Sequence, residues 1–509
     1  MHHKDLTLND LVTLIKSLRS NADIGLIERA FAFADNAHRG QLRMSGEPYI
    51  IHPLNTAYTL AEMHLSDNVI AAGLLHDVAE DTPVTLEQIR EAFGDDIASM
   101  VNGICKVGKI KYRGMERYIE NLRKMFISMA SDARVILIKF ADRLNNLDTL
   151  ESIPQKKAYR ISMESLEIYA PIANRLGMGD IKGKLEDAAF KYAMPKEYEW
   201  TLDIAKKALQ NNQIQISKII SQTKGELESS NIPYIDIHGR QKHLYSLYRK
   251  LLKYNRDISK IYDLTAIRCV VPTTADCYAA LGVIHSKWTP LKGRIKDYIS
   301  QPKPNGYQSL HTTVFYENGS IVEFQFRTID MHESAEFGIA AHWSYDEHKM
   351  NEIAKKRIKQ MLDENELEWM KSVTQMPKLS TKSQDFIEHL EELKLDAFRD
   401  RIFVYTPKGD VIELPEDSTP IDFAYLIHTD IGNTCVAAKV NDTIHPLDEP
   451  LKNGDIVDII TNKNRKGPNP DWLRFAKTRH ARAKIRQYAR SSLSSWLKDV
   501  IPSPLKKRK

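Results

Sequence analysis

From residue 8 to about residue 194, apolar positions recur three and four apart, the spacing of one helix face. Leu26 to His38, Ile119 to Ala130 and Met163 to Leu176 each carry such a stripe. Thr85-Leu86-Glu87-Gln88 has the form of a capping box opening a further helix. Val69 to Gly73 is apolar throughout, which predicts a buried helix running into Leu74-Leu75-His76-Asp77-Val78-Ala79-Glu80-Asp81. Glu197 to Ser230 is a polar amphipathic helical stretch, read as a link between two domains.

Near Ile232 the period changes to that of strands. Ile261 to Val271, Ser309 to Phe315 and Ile321 to Phe326 read as strands, with helices at Tyr245 to Lys253 and Ala275 to Ser286. Asn351 to about Leu395 is charged and helical without a core stripe, as in a linker or a partner-binding helix pair. Arg401 to Ile460 then gives the order ββαββ, with turn Pro407-Lys408-Gly409-Asp410 and helix Pro420 to Thr429, a ubiquitin-like grasp. The prediction is multidomain: an all-α domain over 1–195, an α+β domain over 196–348 whose helical linker is 196–230, a charged linker over 349–396, a small β-grasp domain over 397–462 and a basic helical tail over 463–509.

Composition narrows the class. An apolar fraction of 42% and a charged fraction of 27% suit a water-soluble chain. No window approaches the ~18 apolar residues of a membrane span, and the first residues lack a signal-peptide core, so no membrane partner is expected. Cys105, Cys269, Cys277 and Cys435 are scattered without a Cys-x-x-Cys pair, which points to reduced thiols and a cytoplasmic setting. The net charge of +5 is unevenly spread: Lys463 to Lys509 holds fifteen Lys or Arg against two acids, leaving the rest mildly acidic. Such a tail can supply salt-sensitive affinity for nucleic acid.

Candidate chemistry lies in two places. On one helix, His76 and Glu80 would share a face, as would Asp77 and Asp81. Ionisable groups at the end of an apolar helix need compensation, and a divalent cation provides it for imidazole and carboxylate together. His52, after Gly46-Glu47-Pro48-Tyr49-Ile50-Ile51, and Asp142, at the end of the apolar run 134–141, would complete the ligands with His76 and Asp77. Glu80 and Asp81 could take protons from water at that ion. The second place spans Gly239 to Arg327. Arg240, Lys242, Lys250, Lys296 and Lys303 stand among turn glycines and hydroxyls, a mixture suited to a polyphosphate. Asp263 and Glu323, on strands otherwise apolar, read as a magnesium site for phosphoryl or nucleotidyl transfer, and Tyr307 as a platform for a base.

The chain resembles the RelA/SpoT homologue family of stringent-response enzymes. The phrases that carry this are Ser45 to Pro53, His76 to Thr82, Ala141 to Leu144, Ile168-Tyr169-Ala170-Pro171, Tyr245 to Lys250, Asn305 to Thr313 and Ala340-Ala341-His342-Trp343, in family order over about residues 25 to 480. The resemblance implies an N-terminal manganese-dependent HD hydrolase that removes the 3′-pyrophosphate of (p)ppGpp. It also implies a nucleotidyltransferase-like synthetase that moves pyrophosphate from ATP to the 3′-hydroxyl of GDP or GTP. His52, His76, Asp77 and Asp142 match the manganese ligands, Glu80 and Asp81 the catalytic acids, and Arg43 and Asn146 nucleotide contacts. In the synthetase, Asp263 and Glu323 match the magnesium-linked catalytic acids. Arg240, Lys242, Lys250, Lys296 and Lys303 match phosphate or ATP contacts, Tyr307 matches the guanine-stacking tyrosine, and Ser246, Asn305, Gln308 and His311 join the nucleotide-binding set. Arg294-Ile295-Lys296-Asp297 has the form associated with bifunctional members. Residues 401–461 look like the family's TGS domain, with His428 matching a histidine that senses the tRNA acceptor end. Uncharged tRNA and the ribosome are therefore implied partners, through this domain and the basic tail.

Three positions depart from the family pattern: Met44 replaces a common lysine, Asn145 a common histidine and Gln241 a usual proline. Long members continue into helical, zinc-finger-like and ACT modules, so with Lys509 as last residue either a shortened regulatory end or a fragment is expected. The rival expectations are a hydrolase with a silent synthetase, and a non-catalytic regulator that binds RNA through the TGS domain and tail. Opposed activities in one chain would waste ATP, so reciprocal control through the stretch 197–230 is a further expectation.

Overall fold

The computed structural model describes residues 6–108, 132, 134–210, 213–261, 265–303, 305–317, 320–343, 401–452, 454–462, 464–465, 467–478 and 480–489. The helix expected over 119–130, the charged stretch 351–395 and Asp263 lie outside the described residues. The chain forms two compact units, Met1–Pro377 and Lys378–Lys509.

The first unit opens with α1 (Leu8–Leu18), α2 (Ile24–Ala37), α3 (Ile51–Glu62), α4 (Asp67–Leu75), α5 (Val78–Asp81) and α6 (Leu86–Gly108). Helices α7 (Arg134–Asp148), α8 (Gln155–Glu164), α9 (Ala170–Arg175) and α10 (Gly179–Ala193) follow. The capping box at Thr85 forms: the Gln88 side chain accepts from the Thr85 amide at 2.9 Å. Apolar faces of α3 and α4 meet α7, and every residue from Val69 to Leu75 is buried. The stripe expected over 163–176 is interrupted by a π-turn at Ser165–Tyr169.

The expected single helix end at His76 to Asp81 is two pieces. α4 stops at Leu75 and α5 restarts at Val78. The reason is local: the His76 imidazole takes the Gly73 carbonyl at 2.7 Å, an acceptor that the helix would otherwise use for its own backbone. The break is slight: His76 and Asp77 keep right-handed helical backbone angles, and the Glu80 and Asp81 amides still donate to the Asp77 carbonyl at 3.1 and 2.9 Å.

A mixed sheet follows, flanked by α11 (Pro195–Gln210) and α12 (Gln213–Ser229). Its elements are β1 (Asp236–Gln241), α13 (Leu244–Lys253), β2 (Thr265–Val271), α14 (Thr274–Lys287), β3 (Lys296–Asp297), β4 (Leu310–Phe315), β5 (Ile321–Thr328) and α15 (Ile329–Phe337). The strand order is β1-β2-β5-β4-β3, with β2 and β5 parallel and the other pairs antiparallel. Alternation sorts the two faces. Ile267, Cys269, Val271, Leu310, Val314, Val322, Phe324 and Phe326 form a core with Ile219 and Leu227 of α12 and with Cys277, Ala280 and Ile284 of α14. Arg240, Arg268, His311, Glu323, Gln325 and Arg327 stand in the opposite phase.

Residues 197–230 are therefore no spacer. The apolar side of α12 completes the sheet core, and Ala205 of α11 packs with Leu247 and Leu251 of α13. Gly239, Arg240 and Gln241 end the edge strand β1, just before α13. β2 is described over Thr265–Val271, with residues 262–264 outside the described residues and Ile261 not in a strand.

The second unit has β6 (Arg401–Tyr405), β7 (Val411–Pro415), α16 (Pro420–Ile427), α17 (Thr429–Thr434), β8 (Cys435–Val440), β9 (Thr443–His445) and β10 (Val457–Thr461). This extends the expected ββαββ by one short helix and one short strand. β6 pairs with β7, and β10-β8-β9 form a second sheet. Within the expected basic helical tail, residues 480–489 are helical, and Trp472, Ala476, Ala481 and Ile485 are buried against Ile421, Ala424, Tyr425 and Cys435. Asp422 fixes the segment by accepting from the amides of Lys477 at 2.8 Å and Thr478 at 2.7 Å.

Candidate active sites

The first site forms where α3, the α4–α5 turn and α7 converge. His52 sits in the first turn of α3, His76 and Asp77 at the turn, and Asp142 in the middle of α7. His52 Nε2 is 3.3 Å from Asp77 Oδ2 and 3.4 Å from Asp142 Oδ1. His76 Nε2 is 3.2 Å from the same Asp77 oxygen and 3.9 Å from the same Asp142 oxygen. One donor atom each from His52, His76 and Asp142 lies within 4.8 Å of the others.

Both imidazoles are aimed. His76 Nδ1 donates to the Gly73 carbonyl, so Nε2 carries the lone pair. That Nε2 is buried and has no hydrogen-bond partner among the described residues. His52 Nδ1 donates to Asn145 Oδ1 at 2.5 Å, which likewise turns Nε2 inward. An orphaned buried nitrogen, two lone pairs and two carboxylates converging on one point fit a divalent cation with nitrogen and oxygen ligands.

Electrostatics agree. Burial works against ionising Asp142, yet Lys139 and the two histidines hold its carboxyl well below the usual range. Burial likewise opposes charge on Asp77, and His76 and His52 outweigh it. Burial also disfavours a charged His52, but hydrogen bonds to Asp142 and Asp77 bring it up to about 9. A cation entering here displaces that proton.

Arg43 reaches into the site from the exposed loop between α2 and α3, donating to Asn145 Oδ1 at 3.0 Å and Asn146 Oδ1 at 2.7 Å. Asn146 in turn donates to Asp142 Oδ1 at 2.5 Å. Its loop neighbours Leu42 and Met44 are two-thirds exposed, so the lysine-to-methionine departure lies on the rim. Glu80 is half-buried and Asp81 exposed, one turn from the cluster. Two residues that sequence reasoning gave no role stand out. Asn145, noted only as a departure, holds both His52 and Arg43. Tyr49 bridges Asp77 and Asp81: its hydroxyl, with one proton to donate, lies 2.9 and 2.7 Å from their Oδ2 atoms. Tyr49 lies within a quoted phrase, three residues before His52, but nothing in its spacing marks it.

The second site occupies the polar face of the sheet. On β4, His311 lies opposite Gln325 of β5; its Nδ1 is 3.1 Å from Oε1 of Glu323, and Gln325 donates to the same oxygen at 2.8 Å. His311 Nε2 is 2.8 Å from the Tyr307 hydroxyl, to which Arg327 donates at 2.5 Å. Burial would raise the Tyr307 phenol, but Arg327 and His311, with Arg240 behind them, bring it down to about 7. Lys303 lies over the Tyr307 ring, 5.4 Å from its centre, and over Tyr298 at 4.9 Å. Burial lowers Lys296, and so do Lys303, Lys250 and Arg294, which places these cations around one space. Gly306, with φ of 77°, turns the Lys303–Tyr307 loop.

Other expected members are placed differently. Asn305 donates to the Asn174 carbonyl at 3.0 Å, and Gln308 to the Ile299 carbonyl at 3.3 Å. Ser246 Oγ is 3.5 Å from Glu186. Lys242 is half-buried just beyond β1. Sequence reasoning missed Arg268 and Arg327, both buried, each with an Nε that lacks a partner among the described residues. Arg268 Nη1 pairs with Glu336 at 2.7 Å. The signal was available: Glu323, Gln325 and Arg327 alternate in one phase. In the second unit, His428 is exposed at the start of α17, where Nδ1 accepts from the Asp430 amide at 3.2 Å.

Three family descriptions match the chain: "HD domain" over residues 30–179, "Region found in RelA / SpoT proteins" over 239–350 and "TGS domain" over 402–461. Among curated proteins, the chain is 46% identical to the guanosine-3′,5′-bis(diphosphate) 3′-pyrophosphohydrolase of Aquifex aeolicus, over 91% of this chain and 64% of that protein. It is 44% identical to the bifunctional (p)ppGpp synthase/hydrolase SpoT of Escherichia coli K12, over 93% of this chain and 66% of that protein. It is 44% identical to the GTP pyrophosphokinase of Streptomyces coelicolor, over 91% of this chain and 55% of that protein. The chain thus spans between about half and two thirds of the length of these relatives.

Proposed function

We propose that this chain, which belongs to the RelA/SpoT homologue family, is bifunctional: it hydrolyses the 3′-pyrophosphate of (p)ppGpp at the first site and transfers pyrophosphate from ATP to the 3′-hydroxyl of GDP or GTP at the second. The observation that carries the hydrolase half is the buried, unpartnered Nε2 of His76, aimed with His52 at Asp77 and Asp142. HD-type hydrolases typically depend on a divalent metal, and here manganese would be held by His52, His76, Asp77 and Asp142.

A cation bound there supplies the charge that polarises a phosphoryl oxygen. The chain's own groups do the rest. Arg43 and Asn146 grip the nucleotide. Glu80 and Asp81 accept the proton of the attacking water, which adds to the phosphorus beside the 3′-oxygen. The P–O3′ bond breaks, the 3′-oxygen takes up a proton, and pyrophosphate leaves.

At the second site the 3′-hydroxyl attacks the β-phosphorus of ATP, and AMP leaves. Arg240, Lys242, Lys250, Lys296 and Lys303 hold the phosphates, with Ser246 on the same helix as Lys250. Tyr307 stacks the guanine, with Asn305, Gln308 and His311 around it. Magnesium would be held by Glu323 and Asp263, where it would supply positive charge to the phosphates, and these two carboxylates are the acceptors for the hydroxyl proton. His428 and the basic residues after 463 support tRNA and ribosome contact as a regulatory input.

Both turnovers measured on one preparation test the proposal. Wild-type chain with Mn²⁺ should release pyrophosphate from ppGpp, and with Mg²⁺ should form pppGpp from ATP and GTP. Asp77→Ala should abolish the first and spare the second; Asp263→Ala should do the reverse. Hydrolysis without synthesis in the wild type leaves the silent-synthetase reading. Salt-sensitive tRNA binding with neither turnover leaves the RNA-binding regulator.

A further inference from the structure

Helix α13 carries Ser246, Arg249 and Lys250, yet it lacks a cap of its own. The N-cap position falls to His243, whose side chain makes no capping bond, and the first turn contains no acid. An uncapped start leaves orphan N–H donors, and the residues of that turn lose their fixed direction. The missing acceptor comes from another helix. Asp187 of α10 accepts from the Tyr245 amide through Oδ1 at 2.9 Å, and its Oδ2 lies 2.9 Å from His243 Nδ1.

The rest of that α10 face is shaped to the same turn. A Cβ at Gly183 would fall 2.1 Å from His243 Nε2, so only glycine admits the imidazole. Glu186, buried, faces the Ser246 hydroxyl at 3.5 Å and is paired with Lys182 at 3.3 Å. Phe190 packs near Tyr245 and Tyr248, with ring centres 5.2 and 5.0 Å away. Gly183, Glu186, Asp187 and Phe190 are spaced as one helical stripe.

Resting on the synthetase reading above, we propose that Asp187 is a positioning residue for ATP: a cap supplied by the helical body that sets the start of α13 and so the direction of Ser246 and Lys250 toward the triphosphate. Asp187 touches no substrate. It acts through the Tyr245 amide and the His243 ring, with its carboxylate complementing the positive end of the helix.

The two activities of the intact chain serve as each other's control. Asp187→Ala should raise the KM for ATP in pppGpp synthesis by about tenfold, the loss of one good cap expressed as affinity. The kcat should change far less, and manganese-dependent ppGpp hydrolysis should stay at the wild-type rate. Asp187→Asn keeps the Oδ1 acceptor and should recover most of the ATP affinity. Titration with a non-hydrolysable ATP analogue and Mg²⁺ should show the same order. An unchanged KM and analogue affinity in Asp187→Ala overturns the assignment, as does a parallel fall of both activities. A wild type that neither binds the analogue nor makes pppGpp overturns the synthetase reading and this assignment with it.

Discussion

Asn145 holds two partners with one oxygen: the His52 Nδ1 proton and the Arg43 guanidinium. Its removal would leave the buried imidazole N–H without its acceptor and free the ring to turn. Asn145→Ala should weaken Mn²⁺ binding by roughly 10- to 100-fold in calorimetric titration, with the helical circular dichroism intact. Asn145→Asp, which keeps an acceptor, should fall between the two. Tyr307 offers a second test. Its phenol sits near 7 because Arg327 and His311 outweigh burial, so a tyrosinate absorbance step should appear near neutrality and vanish in Tyr307→Phe. The group's pKa is depressed by folding, so the contribution to stability is full above the ordinary tyrosine range. It is lost as the pH falls through about 7.

At the level of elements, two stretches of backbone cross closely where the chain after α9 meets the end of α15. Gly338 has φ of 55°, and a Cβ there would lie 2.2 Å from the Leu176 carbonyl oxygen and 2.6 Å from the Gly177 carbonyl carbon. Backbone cannot swing aside as a side chain can. Gly338→Ala should cost about 1–3 kcal/mol, read as a lower thermal midpoint, and should disturb the neighbouring Asn305 loop. Nothing in the sequence around Gly338 announces this, because the clash is with Leu176 and Gly177, which lie in a distant part of the chain and share no period with it. What periodicity did reveal were α2, α4, α13, α14, β4 and β5, whose apolar positions face a core. It misread α12, because a helix that seals one face of a sheet is as polar on its other side as a spacer would be. The convergence of His52, His76, Asp77 and Asp142 was legible because these four residues lie in three short motifs. Asn145, Tyr49 and Asp187 were not, since each acts through a partner far away in the chain and carries no spacing of its own.

Across the whole chain, the match to a TGS domain ends at residue 461, but the packing does not. Trp472, Ala476, Ala481 and Ile485 cover α16, the Arg465 guanidinium lies 4.6 Å from the centre of the Trp472 ring, and Asp422 is spent on the amides of Lys477 and Thr478. Asp422 also accepts from the Thr419 amide at 2.9 Å, closing the cap of α16 from inside the core. A chain ended at Asn462 would keep every strand of this unit yet expose Ile421, Ala424 and Tyr425 to water. It would also leave one oxygen of a buried carboxylate without its two donors. Each large apolar side chain so exposed forfeits on the order of 1.5–3 kcal/mol, and the stranded carboxylate adds to that, against a total of about 5–15 kcal/mol for a domain. The second unit of such a chain should therefore melt well below that of the intact protein in calorimetry. The hydrolase turnover of the first unit should be unaffected. An unshifted transition would mean that residues 470–489 only rest on the domain, and that its charge, rather than its packing, is what the segment contributes.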